Sequence, residues 1–150
     1  MLTVTEQVAS VQALELQEAV IDFLRGFGLL ATHETPCGQP LPVSQAHALT
    51  ELARQSRTQL QLGDALGLSK STVSRLVDKL VERQWVTRTS DPTDARCCVV
   101  VLTASGQERA DDISITRAKR FHRLIDRVDP SEREHVTSAI RLLAKATHEN

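Results

Sequence analysis

The sequence contains few aromatic residues and no long apolar run. Only 3% of its 150 residues are Phe, Trp or Tyr, and tyrosine is absent. Because substrate pockets are lined largely by apolar and aromatic side chains, this scarcity argues against an enzyme. None of the apolar runs reaches the roughly 18–20 residues that a membrane span requires. Apolar and charged fractions of 41% and 25% are typical of a globular domain and exclude a disordered or collagen-like chain.

Cysteine is scarce as well, and familiar catalytic motifs are missing. Three cysteines do not make the disulfide framework of a small secreted domain. The first residues show no basic start followed by an apolar stretch, so we expect no signal peptide. The sequence also has no Gly-rich phosphate loop and no His-Glu-x-x-His, Gly-x-Ser-x-Gly or Cys-x-x-Cys motif. We therefore expect a cytoplasmic protein with reduced thiols that is not an enzyme.

Charge is distributed unevenly along the chain, although the net charge is only −1. Residues 1–51 carry one basic and six acidic side chains, whereas residues 52–96 carry eight basic and five acidic ones. Residues 97–150 are nearly balanced, with nine basic and eight acidic side chains. Binding to a polyanion depends on the charge of the contacting face rather than on the total. The distribution therefore favours a nucleic-acid contact in the middle of the chain.

The spacing of apolar residues predicts a mainly α protein with one β-hairpin. In six segments, apolar side chains recur with the period of a helix. Capping residues, among them Ser44, Thr58 and Ser69, mark helix starts. Alternating or β-branched residues at 85–89 and 97–102 flank a turn-rich loop and predict the hairpin. The predicted helices cover about residues 5–30, 45–55, 59–66, 70–84, 104–128 and 130–147, with Thr103 and Asp129 as caps of the last two.

A helix-turn-helix motif is predicted between residues 59 and 84. Gly67 permits the tight turn, and Ala65 provides a small residue where the two helices cross. The outward residues of the second helix are short hydroxyls near its N-terminus with cations beside them, which suits a helix entering a major groove end-on. The alternative is a solvated amphipathic helix in a protein that never binds DNA. The residues predicted to face DNA are Ser69, Lys70, Ser71, Thr72, Ser74, Arg75 and Lys79.

The predicted hairpin follows this motif directly and is expected to form a wing beside it. Arg88 and Arg96 would reach from the hairpin toward phosphates or the minor groove. The alternative is a plain hairpin exposed to solvent. Cys97 and Cys98 are adjacent in the second strand, so we expect one to pack beneath the wing and the other to face outward. We interpret them as small apolar residues rather than as a disulfide.

Long helices with apolar stripes at both ends of the chain exceed what a small winged domain needs for its own core. We expect them to form a homodimer, which would double the basic face and match a two-fold symmetric operator. The alternative is that they fold back within one subunit. The expected organisation is one domain, residues 1–150, with dimerisation helices at about 5–30 and 104–148 and a winged helix-turn-helix at about 44–103.

The residues of the predicted wing form a specific pattern. Asp-Pro-Thr-Asp-Ala-Arg at residues 91–96 is followed by Val-Val-Val-Leu-Thr-Ala-Ser-Gly at residues 99–106. This pattern resembles the wing signature of the MarR family of transcription regulators, and residues 68–80 resemble its recognition helix. The resemblance implies a homodimeric winged helix-turn-helix regulator, here expected to be a repressor, that binds a palindromic operator. It also implies that Arg96 enters the minor groove and that Asp94 orients it through a salt bridge.

Members of this family usually respond to a ligand, an oxidant or a metal, and the sequence leaves the signal open. Cys37 lies in a Pro/Gly-rich loop between His33 and His47, and these three residues with Glu34 are weak candidates for zinc ligands. The resemblance to zinc-sensing members is partial, because the fifth helix has no matching histidine. Cys37 is also a candidate redox sensor. A small aromatic anion near Cys37 and His47 is a third option, and no effector is the fourth.

A winged-helix module that binds a protein instead of DNA is the rival interpretation. The basic second helix and the wing arginine argue against it. Salt dependence separates the two, because binding through several phosphates weakens steeply as salt rises. We expect double-stranded DNA and a second copy of the chain as partners, with no membrane association and no required cofactor.

Overall fold

The computed structural model describes residues 4–91, 93–94 and 96–148. Helices dominate it, and one small sheet interrupts them, so the expected fold class of mainly α with a β-hairpin wing is confirmed. In chain order the elements are α1 (Val4–Phe27), α2 (Val43–Arg54), β1 (Arg57–Thr58), α3 (Gln59–Leu66), α4 (Lys70–Glu82), β2 (Val86–Ser90), β3 (Cys98–Leu102), α5 (Ala104–Ile125) and α6 (Arg133–Ala146).

The predicted hairpin belongs to a three-stranded antiparallel sheet in the order β1-β3-β2. β2 pairs with β3 along its whole length, with Arg88 opposite Val100. β1 was not predicted, and its two residues pair with Val99 and Val100 on the other side of β3. A strand of two residues has no periodicity to detect in a sequence. Its pairing ties the start of α3 to the wing.

Several helix ends differ from the prediction by a few residues. α1 ends at Phe27, because Gly28 adopts the left-handed conformation with φ of 86°. α2 begins at Val43 after Pro42, so Ser44 lies in its first turn and does not cap it. α4 and α5 both end slightly before their predicted boundaries. The interior of each helix nevertheless coincides with the predicted segment.

The start of α6 is displaced further. Asp129 Oδ1 accepts hydrogen bonds from the backbone N–H of Ser131, at 2.9 Å, and from its hydroxyl. These bonds hold the pKa of the Asp129 carboxyl below its usual range. They close a turn of the Asx type instead of capping the helix. The helix itself begins at Arg133, with Glu132 at its N-cap. The other predicted caps are confirmed at Thr58, Ser69 and Thr103.

The hydrophobic core lies between α2, α3, α4, the sheet and the first half of α5. Leu49 of α2, Leu62 of α3, Leu80 of α4 and Ile113 of α5 are at most 1% exposed. Burial of an aliphatic side chain of this size stabilises the fold by roughly 1.5–3 kcal/mol. The core therefore holds α4 and the hairpin in one fixed relation, and this relation positions the surface described below.

The apolar stripes of α1 and α6 remain exposed in the single chain. Among the described residues of α6 none is buried. In the second half of α5, Phe121 contacts Phe27 with ring centroids 5.3 Å apart, yet 49% of it is exposed. No helix in the described ranges is both long and apolar enough to cross a membrane. The exposed apolar residues of α1 and α6 are Val11, Leu14, Leu16, Val20, Phe23, Val136, Ile140, Leu142 and Leu143.

Candidate nucleic-acid interface

The turn between α3 and α4 brings the two helices into close contact. Gly67 has φ of 64° and donates its N–H to the carbonyl oxygens of Gly63 and Asp64. A Cβ atom at Gly63 would lie 3.2 Å from Val73 Cγ1, so Gly63 is the small residue at the crossing. The prediction that Ala65 fills this place is wrong, because Ala65 is exposed. The sequence did contain a signal for this contact. A glycine inside a helix costs about 1 kcal/mol relative to alanine, so its presence indicates that the packing requires a small residue there.

The first turn of α4 presents a cluster of hydroxyl groups. Ser69 Oγ accepts a hydrogen bond from the backbone N–H of Thr72 and lies 2.8 Å from Thr72 Oγ1. Ser71 Oγ lies 3.3 Å from Ser69 Oγ. A helix N-terminus carries partial positive charge, and hydroxyls donate hydrogen bonds, so this surface suits a phosphate or a base edge. A shallow depression there is lined by Gln59, Ser69, Lys70, Ser71 and Ser74.

The cations of this surface differ in whether a carboxylate neutralises them. Arg88 Nη2 of β2 donates to Asp78 Oδ1 of α4 at 2.6 Å and to Gln59 Oε1 at 3.4 Å. Lys79 Nζ donates to Glu82 Oε2 at 3.0 Å. These two predicted DNA contacts are therefore engaged within the chain. Within the described residues, the predicted DNA-facing cations that form no ion pair are Lys70, Arg75 and Arg96.

The tip of the wing is held by hydrogen bonds to two aspartates. Asp91 Oδ1 accepts bonds from the hydroxyl and the backbone N–H of Thr93, which hold the pKa of its carboxyl below the usual range. Asp94 Oδ1 accepts the backbone N–H of Arg96 at 3.0 Å. No ion pair between the side chains of Asp94 and Arg96 occurs in the described part of the chain, so Asp94 orients the backbone of Arg96 instead of its guanidinium. Two wing residues lie outside the described ranges, Pro92 and Ala95.

Both cysteines of the wing are exposed. Cys97 lies in the bend before β3, and Cys98 is the first residue of that strand. Cys97 Sγ donates a hydrogen bond to Asp94 Oδ2 at 3.7 Å, and the negative charge of Asp94 raises the pKa of this thiol. The prediction that one of the two packs beneath the wing is wrong, because both lie at the outer end of the hairpin, beyond the core.

A cavity of about 380 Å³ lies between the end of α1, the loop before α2, and α5. Two of the residues considered for a signal, Cys37 and His47, line it, and Arg117 supplies a cation. Burial and the positive charge of Arg117 together lower the pKa of His47. The rest of the wall is mainly apolar, with Phe23, Phe27, Leu29, Val43, Ile113, Phe121 and Ile140 among its residues.

The residues considered for zinc do not converge in this chain. In the described ranges, no three His, Cys, Asp or Glu side chains are grouped closely enough to hold a metal ion. His33 is exposed and is not part of the cavity that Cys37 and His47 line. The geometry therefore gives no support to a zinc site built from His33, Cys37 and His47 of a single chain.

An exposed helix held against a short partner helix, with a three-stranded wing beside it, defines a winged helix-turn-helix protein. Residues 39–96, which span α2 to β2 and end before β3, match the model of the MarR family. The matched segment covers less than half of the chain, and within it the chain is similar to the MarR family.

Part of the chain is also similar to curated transcriptional regulators. The transcriptional repressor MprA of Escherichia coli (strain K12) is 28% identical over 99 residues, which cover 64% of this chain and 56% of MprA. The uncharacterized HTH-type transcriptional regulator YkoM of Bacillus subtilis is 34% identical over 86 residues, which cover 57% of this chain and 54% of YkoM. The chain thus spans about half the length of the curated relatives it matches.

Solved structures share the fold over nearly the whole chain. The adhesin competence repressor AdcR of Streptococcus pyogenes superposes with a TM-score of 0.64 at 22% identity, over 91% of this chain and 97% of AdcR. The PcaV transcriptional regulator of Streptomyces coelicolor, solved with its natural ligand, superposes with a TM-score of 0.62 at 22% identity, over 91% of each chain. The likeness extends beyond the matched family segment to the long terminal helices.

Proposed function

We propose that this chain is a sequence-specific DNA-binding transcription regulator, acting as a repressor, that binds a palindromic operator as a homodimer. The observation that carries the proposal is the exposed N-terminal half of α4, where Lys70 and Arg75 form no ion pair within the described residues. Arg96 on the wing beside it is also without an ion pair there. A helix of this kind fits a major groove, and a wing arginine fits the adjacent minor groove. MprA is named a transcriptional repressor, which supports this sign of regulation.

The hydrogen bonds at the start of α4 suggest which residues contact the DNA backbone and which contact bases. Ser69 and Thr72 use their hydroxyls in the helix cap, so they anchor the first turn and contact DNA mainly through its backbone. Ser71, Ser74 and Arg75 are the residues that read base edges, and Arg75 fits guanine with two parallel hydrogen bonds. Lys70 and Arg96 contact phosphate and the minor groove. Arg88 and Lys79 join the contact only when phosphates displace their carboxylate partners.

The exposed apolar sides of α1 and α6 support the homodimer. Val136, Ile140 and Leu143 of α6 recur at helical spacing, and Val20 and Phe23 do so on α1. Exposed apolar stripes of this kind are characteristic of an interface. Two copies joined through these helices by a two-fold axis would present two α4 helices to two half-sites of one operator.

The cavity beside Arg117 supports a small aromatic anion as the signal. Its volume of about 380 Å³ lies within the range of small-molecule sites, roughly 300–1,000 Å³. Apolar walls bury an aromatic ring, and the Arg117 guanidinium binds a carboxylate. Because the walls come from α1, α2 and α5, a bound ligand changes how the terminal helices meet the winged part. Oxidation of Cys37 in the same wall is the second candidate signal.

The experiment that tests the proposal measures binding of the purified protein to DNA from around its own gene. Titrations at several salt concentrations, with salicylate, zinc or hydrogen peroxide added in turn, identify the mode of binding and the signal. Tight, salt-sensitive binding to one inverted repeat, released by salicylate, is the expected result. Weak binding that is equal on every fragment, together with salt-insensitive binding to a protein, would point instead to a winged module without DNA binding.

A further inference from the structure

The two adjacent cysteines of the wing serve no packing role. Free cysteine is among the most buried residue types, and when it is not buried its reactivity usually accounts for its presence. Cys97 and Cys98 are both exposed, and neither belongs to the hydrophobic core. They also lie beside Arg96, the cation that the wing offers to DNA. A ligand that joins the two sulfurs would therefore act directly on the DNA-binding surface.

We propose that Cys97 and Cys98 form a binding site for a trivalent arsenical, and that its occupation weakens the hold of the wing on DNA. Trivalent arsenic is a soft centre, and soft centres prefer thiolate ligands. An organoarsenic oxide condenses with two thiols, so that two As–S bonds form, the two thiol protons leave with the oxide oxygen as one water, and arsenic stays trivalent. Its organic substituent fills the third position, so two protein ligands complete the site.

The charges around the pair favour this ligand over an oxidant. The negative charge of Asp94 raises the pKa of the Cys97 thiol and reduces its thiolate fraction at neutral pH. Oxidation by peroxide proceeds through the thiolate, so this environment slows it. Condensation with an arsenic oxide releases the thiol protons as water, and the second sulfur strengthens arsenic binding because the two thiols form a chelate. A disulfide between neighbouring residues would also close a smaller and more strained ring than one that includes arsenic.

The geometry of the hairpin links arsenical binding to the shape of the wing. Cys97 lies in the bend before β3, whereas Cys98 is held in the strand opposite Ser90, so bonds from both sulfurs to one arsenic draw the end of β3 toward the bend. The same movement loosens the 2.8 Å hydrogen bond from the N–H of Asp91 to the carbonyl oxygen of Cys97. Arg96 lies within this segment, so the movement changes the direction in which its guanidinium points. If arsenical binding weakens DNA binding, DNA binding weakens arsenical binding equally, so operator DNA should protect the two thiols from the arsenical.

The first arm of the test uses phenylarsine oxide and no DNA. After an excess of a monothiol, which removes arsenic from single thiols but not from a two-thiol chelate, intact mass and a thiol count are measured. The wild type and Cys37→Ser should keep one adduct and lose two thiols, whereas Cys97→Ser and Cys98→Ser should keep none. An adduct that requires Cys37, or one that survives in Cys97→Ser and Cys98→Ser, would overturn the site.

The second arm measures operator affinity, and this part of the inference rests on the proposed function. Phenylarsine oxide should weaken binding of the wild type by about 10-fold, within the usual range of coupling between two sites, and leave Cys98→Ser unchanged. An unaltered affinity with the adduct in place would overturn the coupling. A chain that forms the adduct but binds no DNA would refute the proposed function and leave the arsenical site standing.

Discussion

The guanidinium of Arg88 in the wing and the carboxylate of Asp78 in α4 form an ion pair, with 2.6 Å between Nη2 and Oδ1. Both side chains are more than one third exposed, so the pair stabilises the fold by at most about 1 kcal/mol. Its main consequence concerns the surface that we propose binds DNA. A phosphate that binds Arg88 must compete with the charge of this carboxylate, so the pair weakens one non-specific contact.

Asp78→Asn should therefore bind DNA more tightly and with less selectivity. Release of Arg88 adds about one phosphate contact, so the salt slope on random-sequence DNA should steepen by about 1 unit. Fluorescence anisotropy over a range of salt concentrations measures this slope. Asp64→Asn is the matched control, since it removes the same charge from α3 and Asp64 forms no ion pair within the described residues. Equal effects of the two variants would show that only net charge matters.

Arg75→Ala and Arg96→Ala should weaken operator binding in different ways. Loss of a base contact from Arg75 should cost about 1–3 kcal/mol and relax the preference at one base position. Loss of Arg96 should weaken binding evenly across operator variants. A panel of single-base operator substitutions distinguishes the two patterns, with Arg25→Ala on α1 as the control for loss of a cation. Parental affinity in both variants would refute these roles.

Ile140→Asp should convert a dimer into a monomer. A carboxylate placed in the apolar side of α6 would be buried without a partner in the interface, which is costly. Ile140 is 52% exposed in the single chain, so the monomer itself should fold. Light scattering coupled to gel filtration measures the mass, and Leu60→Asp is the control, because Leu60 is an exposed leucine of α3. A dimer that persists in Ile140→Asp would place the interface elsewhere.

The affinity for an aromatic carboxylate should rise as the pH falls through the titration of His47. Burial and Arg117 lower the pKa of His47 from 6.5, so the unfolded chain takes up the proton first. Folded stability therefore decreases below about pH 6.5 and levels off below the pKa of the folded state. A bound anion offsets the repulsion from Arg117 and raises this pKa, which couples anion binding to proton uptake.

Calorimetric titration with salicylate above and below pH 6.5 measures this coupling. His47→Gln should abolish the pH dependence of salicylate binding, whereas His33→Gln, at an exposed position outside the cavity, should retain it. The same pH dependence in His47→Gln would assign the proton to another group.

Gly106→Ala should destabilise the fold. A Cβ atom at Gly106 would lie 1.8 Å from the carbonyl oxygen of Trp85, a backbone atom that cannot rotate away. We expect overpacking to lower the free energy of unfolding by about 3 kcal/mol and the melting temperature by roughly 10 °C. Gly26→Ala is the control, since among the described residues no atom outside the neighbouring helix backbone lies within 4 Å of the added Cβ, and it should be neutral or stabilising. Equal melting temperatures for Gly106→Ala and the wild type would contradict the packing.

Local physics accounts for most of the elements. The apolar period of α4 places Val73, Leu76 and Leu80 in the core, as the sequence predicts, because a helix turns each third or fourth residue to the same side. The caps at Thr58 and Ser69 are predictable for the same reason, since a side chain and a backbone N–H three residues apart meet in every such turn. The wing pattern resembles that of the MarR family, and residues 39–96 match the model of that family.

Contacts between distant residues escaped prediction. The pairing of β1 with β3, the approach of Gly63 to Val73 and the neutralisation of Arg88 by Asp78 each join different elements. Sequence spacing carries no information about such distances, and a charged residue looks the same whether a partner faces it or not. The exposure of both wing cysteines was missed because strand alternation assumes a core beneath the strand, and the core stops before the tip.

By itself the sequence determined the interiors of the helices, the hairpin, the winged helix-turn-helix order and the helix face proposed to contact DNA, since each depends on interactions within a few residues. Only the tertiary structure decided which cations are available, where the cavity beside Arg117 lies and that His33, Cys37 and His47 do not converge. These properties depend on how the core orients whole helices against one another. Small changes in that packing move side chains by more than a hydrogen bond can span, so local spacing does not specify them.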